Sequence, residues 1–430
     1  MKYTTIKKWY LLRDICVGAY AIRLYTLIVF LLLVIMFLPD AKSQNSTSSP
    51  FSIFGIGEIE SRSFGRTTGM GDVGIGYQSE NFLNKHNPAA LSGIDTLRFI
   101  IDVSAAVKIS NFVTGSGNNQ TTNFSFKSMA AGVRLTKKWT SSVGLSPFSN
   151  VGYTLKDQQH VEGTLDSYND ILFTGSGGIN TFYWANAYEL FRGFSLGITS
   201  SYIFGNITHI EETKIFSIKT THNVSKINFD FGGQYKHQFG NHTSITVGGI
   251  YSNEAPHSIQ RSKTISSYMQ IERSERLPDL KSFFPQSYGG GFSILRNKKN
   301  AEWIFAADYK CQNWSADKAS YDKMTYTDSH VYKAGIQFTP NTKRPDKYIH
   351  VMRFQLGACY NKSYLNVSGH QMEDYSLSAG LGFPFRNSSY VNITANVGES
   401  QIGKRGSERY ILFSINLSLI DRWFAKYQWN

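Results

Sequence analysis

Cysteine is scarce in this 430-residue chain: three occur, and none stands in a paired or metal-ligand spacing. That excludes a disulfide scaffold and a cysteine-held metal centre. Charge is scarce too, with Asp, Glu, Lys and Arg at 17% against roughly 25% in an average soluble domain. After the first forty residues no stretch keeps a helical period, which argues against a helix-rich enzyme. His209, His222, His237 and His242 fall in different segments, and the few acids form no catalytic pattern. No enzyme activity, no metal and no cofactor is therefore expected. Aromatic residues, at 14%, and glycine, with 37 copies, are plentiful, which excludes a disordered chain.

The N-terminus has the order of an export signal. Lys2, Lys7, Lys8, Arg13 and Arg23 precede an apolar run from Leu24 to Leu38, followed by Pro39, Asp40 and Ala41-Lys42-Ser43. The reading is a secretory signal, residues 1–43, cleaved after Ser43; an uncleaved inner-membrane anchor is the alternative, disfavoured because the run is shorter than the roughly 20 residues of a spanning helix. Cleavage lowers the formal net charge from +13 to about +9 by the same side-chain count. For an exported chain with scattered charge, membrane lipid is the expected partner and nucleic acid is not.

Two zones follow. Residues 44–95 are rich in Gly, Ser and Asn and keep no period, whereas residues 96–419 alternate apolar and polar side chains, the period of a strand with one apolar face. Leu97, Phe99, Ile101, Val103, Ala105, Val107 and Ile109 set the pattern, and Ile411, Phe413, Ile415, Leu417 and Leu419 repeat it near the end. About fourteen such segments occur, each near the 9–11 residues of a tilted transmembrane strand. Their connections sort into two classes. Every second one is short, as at Thr136-Lys137-Lys138 and Phe191-Arg192-Gly193; the others, such as 149–178 and 258–286, are long and polar. The expected fold is all-β: a transmembrane antiparallel barrel of about fourteen strands in the outer membrane of a Gram-negative bacterium, plugged by residues 44–95. An even strand count puts both ends on the short-turn, periplasmic rim, with residues 420–430 as a periplasmic tail.

Several strings need weighing against familiar motifs. Gly69-Met70-Gly71-Asp72-Val73-Gly74 has dinucleotide-loop spacing but lacks the strand before and the helix after it; the glycines read instead as a tight plug backbone. Gly193-Phe194-Ser195-Leu196-Gly197 matches a nucleophile elbow, yet strand rather than helix follows the serine. Asn87-Pro88-Ala89 forms a rigid turn into the barrel, or an ordinary turn. Pro147, between Ser146 and Phe148 at the end of the third strand, removes a ladder N–H, at a gap in the wall or a strand terminus.

These residues resemble the FadL/TodX outer-membrane transport proteins, as a divergent branch. The Gly-rich stretch with Asn87-Pro88-Ala89 is similar to that family's plug signature. Ser49-Pro50-Phe51, Phe54-Gly55-Ile56-Gly57, Pro147 to Tyr153, Gly175-Ser176-Gly177-Gly178, Pro285-Gln286-Ser287-Tyr288-Gly289 and Arg422-Trp423-Phe424 extend the likeness along the chain. The resemblance implies passive uptake of a hydrophobic, fatty-acid-like small molecule, which shifts the plug and leaves sideways where the third strand is kinked. Ser146, Pro147 and Phe148 would flank that lateral opening. The chain departs from the family in a tail that runs past the last strand.

Passive uptake is therefore the expected function, with a scaffold or assembly subunit as the alternative. A transport barrel requires an apolar cavity in the lumen. A scaffold or assembly subunit would instead dock an outer-membrane or periplasmic protein through long loops or the tail, with Trp423 and Phe424 as contacts, because a shared fold does not decide function. Deleting residues 44–95 is expected to open an ion-conducting pore in planar bilayers; a deletion no more conductive than the intact protein would refute the plug.

Overall fold

The computed structural model describes residues 46–60, 65–96, 98–114, 117–160, 168–267, 272–298, 300–316, 324–341, 347–385, 389–403 and 406–422. Its strands are β1 (Glu58–Ile59), β2 (Arg98–Thr114), β3 (Gly117–Arg134), β4 (Trp139–His160), β5 (Tyr168–Phe191), β6 (Phe194–Glu212), β7 (Phe216–Phe239), β8 (Thr243–Ser252) and β9 (Ala255–Ser267). They continue as β10 (Glu272–Phe284), β11 (Ser287–Lys298), β12 (Ala301–Gln312), β13 (Met324–Tyr326), β14 (Ser329–Thr339), β15 (Arg353–Val367), β16 (His370–Pro384), β17 (Tyr390–Ile402) and β18 (Gly406–Arg422).

Fourteen of these close into one antiparallel barrel: β2 to β8, then β11, β12 and β14 to β18. Two joins make the ring. β8 pairs with β11 from Thr243↔Arg296 to Ser252↔Ser287, and β18 pairs with β2 from Gly406↔Thr114 to Arg422↔Arg98. Closure satisfies backbone donors and acceptors that lipid cannot.

The alternation read from the sequence assigns the two faces. One cross-strand row on the outer surface runs Phe305, Ile336, Leu356, Ala379, Ala395, Phe413, Val107, Phe124 across eight strands without a polar side chain. The intervening positions point inward and are polar: Asp102, Ser104 and Ser110 on β2 and Ser414, Asn416 and Ser418 on β18 are all buried.

Outside the membrane the strands exceed expectation. β4, β5 and β7 have 22, 24 and 24 residues, about twice what a bilayer crossing needs. Much of 149–178, expected as loop, continues β4 and β5. Most of 258–286 is the β9–β10 hairpin, whose β9 pairs with β7 from Phe216↔Ser267 to Asn223↔Gln260. Beyond the bilayer neither face has to be apolar, so the alternating signal stops while backbone pairing goes on. β18 also runs through Ile420, Asp421 and Arg422, three residues into the expected tail. The leader 1–43, Trp423, Phe424 and the rest of the tail lie outside the described residues.

Ile415, outward on β18 and 53% exposed, sits mid-strand in the lipid belt. Ile415→Arg is expected to lower stability by about 2–4 kcal/mol, measured by denaturant unfolding in lipid vesicles.

Candidate functional site

Residues 46–60 and 65–96 lie against the inner face of the wall, and glycines set how closely. A Cβ on Gly335 would stand 2.2 Å from the Met70 carbonyl oxygen, and one on Gly357 1.9 Å from the Gly71 nitrogen. The fit is mutual: a Cβ on Gly71, itself at φ +67°, would meet the Ala358 and Ala334 carbonyls at 2.6 and 2.7 Å. Gly69 meets the Gln355 side chain and the Gly380 backbone, and Gly74 meets the His86 ring. At Gly71, Gly335 and Gly357 side chains are absent because backbone meets backbone.

Asp308, on β12, anchors the next turn. Its carboxylate accepts the backbone N–H groups of Gly74, Ile75 and Gly76 at 2.5, 2.8 and 3.4 Å, an anion nest in which the anion is a wall side chain. Asn87 fixes the following loop. Its Nδ2 donates to the carbonyls of Ile75, Gly233 and Gly249 at 2.9, 3.2 and 3.4 Å, while its Oδ1 accepts from the Ala89 N–H at 3.0 Å. Pro88 opens a 3-10 helix, Pro88–Gly93, which Asn87 caps. Pro88 and Ala89 pack on Gly197 of β6, and Ser195 Oγ donates to the Ala89 carbonyl at 3.1 Å. The string that imitates a nucleophile elbow is thus the seat of the Asn87-Pro88-Ala89 turn.

The β3–β4 ladder ends just short of Pro147. β3 pairs with β4 only from Arg134↔Thr140 to Met129↔Leu145. Just past that point the β4–β5 register shifts between Pro147 and Ser149, as expected where proline removes a ladder donor. Ser146 is buried and hydrogen-bonds to Lys85 Nζ. Phe148 packs edge-on to Phe284, centroids 5.4 Å apart.

The N-terminal segment takes the place that β3 leaves. β1 pairs with β4 at Ile59↔Ser149 and Glu58↔Asn150. Glu60 N–H donates to the Phe148 carbonyl at 3.0 Å, and Ser52 Oγ bonds both the N–H and the carbonyl of Gly152. Ion pairs hold it against the neighbouring strands: Lys127 of β3 meets Glu60 at 2.6 Å, and Lys108 of β2 lies between Glu58 and Glu408 at 2.7 and 2.8 Å. Deeper in, Lys333 of β14 pairs with the Asp72 carboxylate and donates to its carbonyl at 3.0 Å.

Between this segment and the loops is a cavity of about 410 Å³, lined largely by Ser, Thr, Asn and charged side chains, among them Asp308, Lys310, Lys333 and Asp374. At its loop side Val151, Ile203, Ile207, Phe284 and Trp314 belong to one buried apolar cluster. Among the described residues no group of His, Cys, Asp and Glu is arranged to hold a metal. His209 and His222, expected apart, lie on adjacent strands with rings 5.4 Å apart, and His209 bonds Tyr153.

Sequence reasoning singled out Asn87, the glycines and Pro147, and did not name Asp308, Lys333, Lys108 or Glu408. Their only signal was charge in the inward phase of strands within a charge-poor chain.

The closed wall and its apolar outer belt define a fourteen-stranded integral membrane barrel of the outer-membrane kind. The BamG family model matches residues 24–430, and the chain belongs to the BamG family. Solved structures share the fold at low identity. The toluene transporter TodX of Pseudomonas putida is 12% identical at a TM-score of 0.56, with 85% of this chain and 100% of that chain covered. The toluene transporter TbuX of Ralstonia pickettii is 14% identical at 0.55, covering 83% and 98%. The CymD monoaromatic hydrocarbon channel is 16% identical at 0.51, covering 85% and 98%. No curated protein matches the sequence.

Burial by itself would raise the Asp72 carboxyl pKa, but Lys333, and then His86, outweigh it and hold it well below the usual range. A depressed folded-state pKa contributes stability above the unfolded value, near 4, which is lost as pH falls through the folded value. Protease protection of residues 65–95 should therefore be flat from pH 8 to 5 and weaken only below about 4. Lys333→Met, which leaves the carboxylate buried without its ammonium, should cost about 3–5 kcal/mol and remove that protection at pH 7.

Proposed function

We propose that this barrel serves as a docking or assembly subunit of the outer membrane rather than as a conduit. The observation that carries the reading is the chemistry of the lumen. A pocket for a hydrophobic solute is lined predominantly by apolar and aromatic side chains, whereas this cavity mixes apolar side chains such as Phe148, Ile203 and Phe284 with many hydroxyls, amides and paired charges. A hydrophobic molecule on its way to the membrane would have to cross that lining. It would also have to part Lys108 from Glu58 and Lys127 from Glu60, all largely buried. The N-terminal segment is then a permanent filling that stiffens the barrel.

A docking subunit needs an ordered surface outside the bilayer. The projecting halves of β4, β5, β6 and β7, with β9 and β10, form a continuous paired sheet on the long-loop side. On the periplasmic rim, Trp423 and Phe424 are the proposed contacts. The partner is an outer-membrane or periplasmic protein.

A second reading, passive uptake of a hydrophobic compound, is favoured by the seam at Pro147. There the β3–β4 ladder ends, and β1 pairs with β4 just beyond it. It draws further support from the named activities of the barrels that share the fold.

Isolation of the intact protein from its native outer membrane in mild detergent separates the two. A stoichiometric protein partner is expected, and its recovery should fall at least tenfold either when residues 255–284 are replaced by a short turn or when Trp423 and Phe424 become Ala. A barrel recovered alone with a bound hydrophobic compound would sink the docking reading in favour of transport.

A further inference from the structure

The outer surface carries a concavity that neither reading uses. Backbone pairing lines up Tyr309, Tyr332, Tyr360 and Tyr375 across β12, β14, β15 and β16, with successive ring centroids 5.0, 6.0 and 4.7 Å apart. The same row continues through Glu399, Arg409 and Asn111 on β17, β18 and β2. It is an aromatic girdle of the kind found at headgroup level, and it passes directly into an ion pair, Arg409 Nε to Glu399 at 3.2 Å.

The next row along these strands is Ala307, Ala334, Ala358, Leu377, Val397 and Ile411. Beyond it come Phe305, Ile336 and Leu356. Three adjacent alanines between tyrosines on one side and Phe, Ile and Leu on the other leave a trough. With the flank of β17, β18 and β2 it makes a groove of about 1090 Å³. One end is apolar; the other is bounded by Asn111, Gln120, Glu399 and Arg409.

We propose that this groove is a lipid-binding site, holding one amphiphile with its hydrocarbon along the alanine trough and an anionic headgroup at Arg409. The occupant follows from where the groove lies. It is continuous with the lipid-facing belt of an integral membrane protein, so hydrocarbon is what meets it. Its polar end shares a row with the tyrosine girdle, so a chain lying in the trough brings its headgroup to Arg409. That side chain is 69% exposed and engages Glu399 through Nε, leaving its Nη groups for phosphate oxygens. Glu399 opposes an anion there, so recognition depends on Arg409 alone.

The test uses the full chain in mild detergent, stripped of lipid and titrated with phosphatidylglycerol or phosphatidylethanolamine of the same acyl chains, with bound lipid counted by native mass spectrometry. One saturable lipid per barrel is expected, with phosphatidylglycerol preferred. Ala334→Phe with Ala358→Phe, which fills the trough, should weaken binding at least tenfold. Arg409→Gln should abolish the headgroup preference and leave occupancy. Ala131→Phe, outward near the other end of β3, should change neither. If the double variant does not fold, Ala358→Leu should give a smaller loss in the same direction. Non-saturating binding, equal binding in the filled variants, or a co-purifying polypeptide that excludes lipid from the groove would overturn the proposal.

Discussion

The structure depends on one constraint: in hydrocarbon no backbone N–H or carbonyl can be left without a partner. It explains why β18 returns to β2 over seventeen paired residues, and why β8 skips the β9–β10 hairpin to find β11. It also explains what happens where the rule is broken. At Pro147 a donor is missing, β3 and β4 part, and β1 with Ser52 supplies backbone and hydroxyl partners to β4 from Phe148 to Gly152. There the described part of the N-terminal segment pairs with the wall where β3 does not.

Close approach of two backbones organises the interior. Glycines on the wall, Gly197, Gly335 and Gly357 among them, face the segment at Pro88, Ala89, Met70 and Gly71. Side chains then add specificity to a contact that sterics alone would leave free to slide. Asp308 captures three successive amides and Asn87 bridges two strands of the wall. Lys108 lies with Glu58 and Glu408, and Lys333 with Asp72, pairs in which removal of one partner leaves a charge without compensation. A lumen built this way sets paired charges and hydroxyls beside an apolar cluster at its loop side.

Much of this was legible in the amino-acid order. Alternation over residues 96–419 determined a barrel, its strand number and which face meets lipid, because a strand with one apolar face shows period two whatever its neighbours. Asn87-Pro88-Ala89 and the glycines of residues 69–76 marked a tight backbone. Only the tertiary structure decided what that backbone touches. Gly193 to Gly197 looked like an enzyme motif until it met Ala89, and Asp308 lies more than two hundred residues from the amides it binds. The extended β4 to β10 sheet was hidden because, outside the bilayer, pairing leaves no apolar period. Local patterns record which side of a strand faces lipid. The contents of the lumen, the closure of the seam and the groove beside the tyrosine girdle arise from register between distant strands, which no local pattern contains.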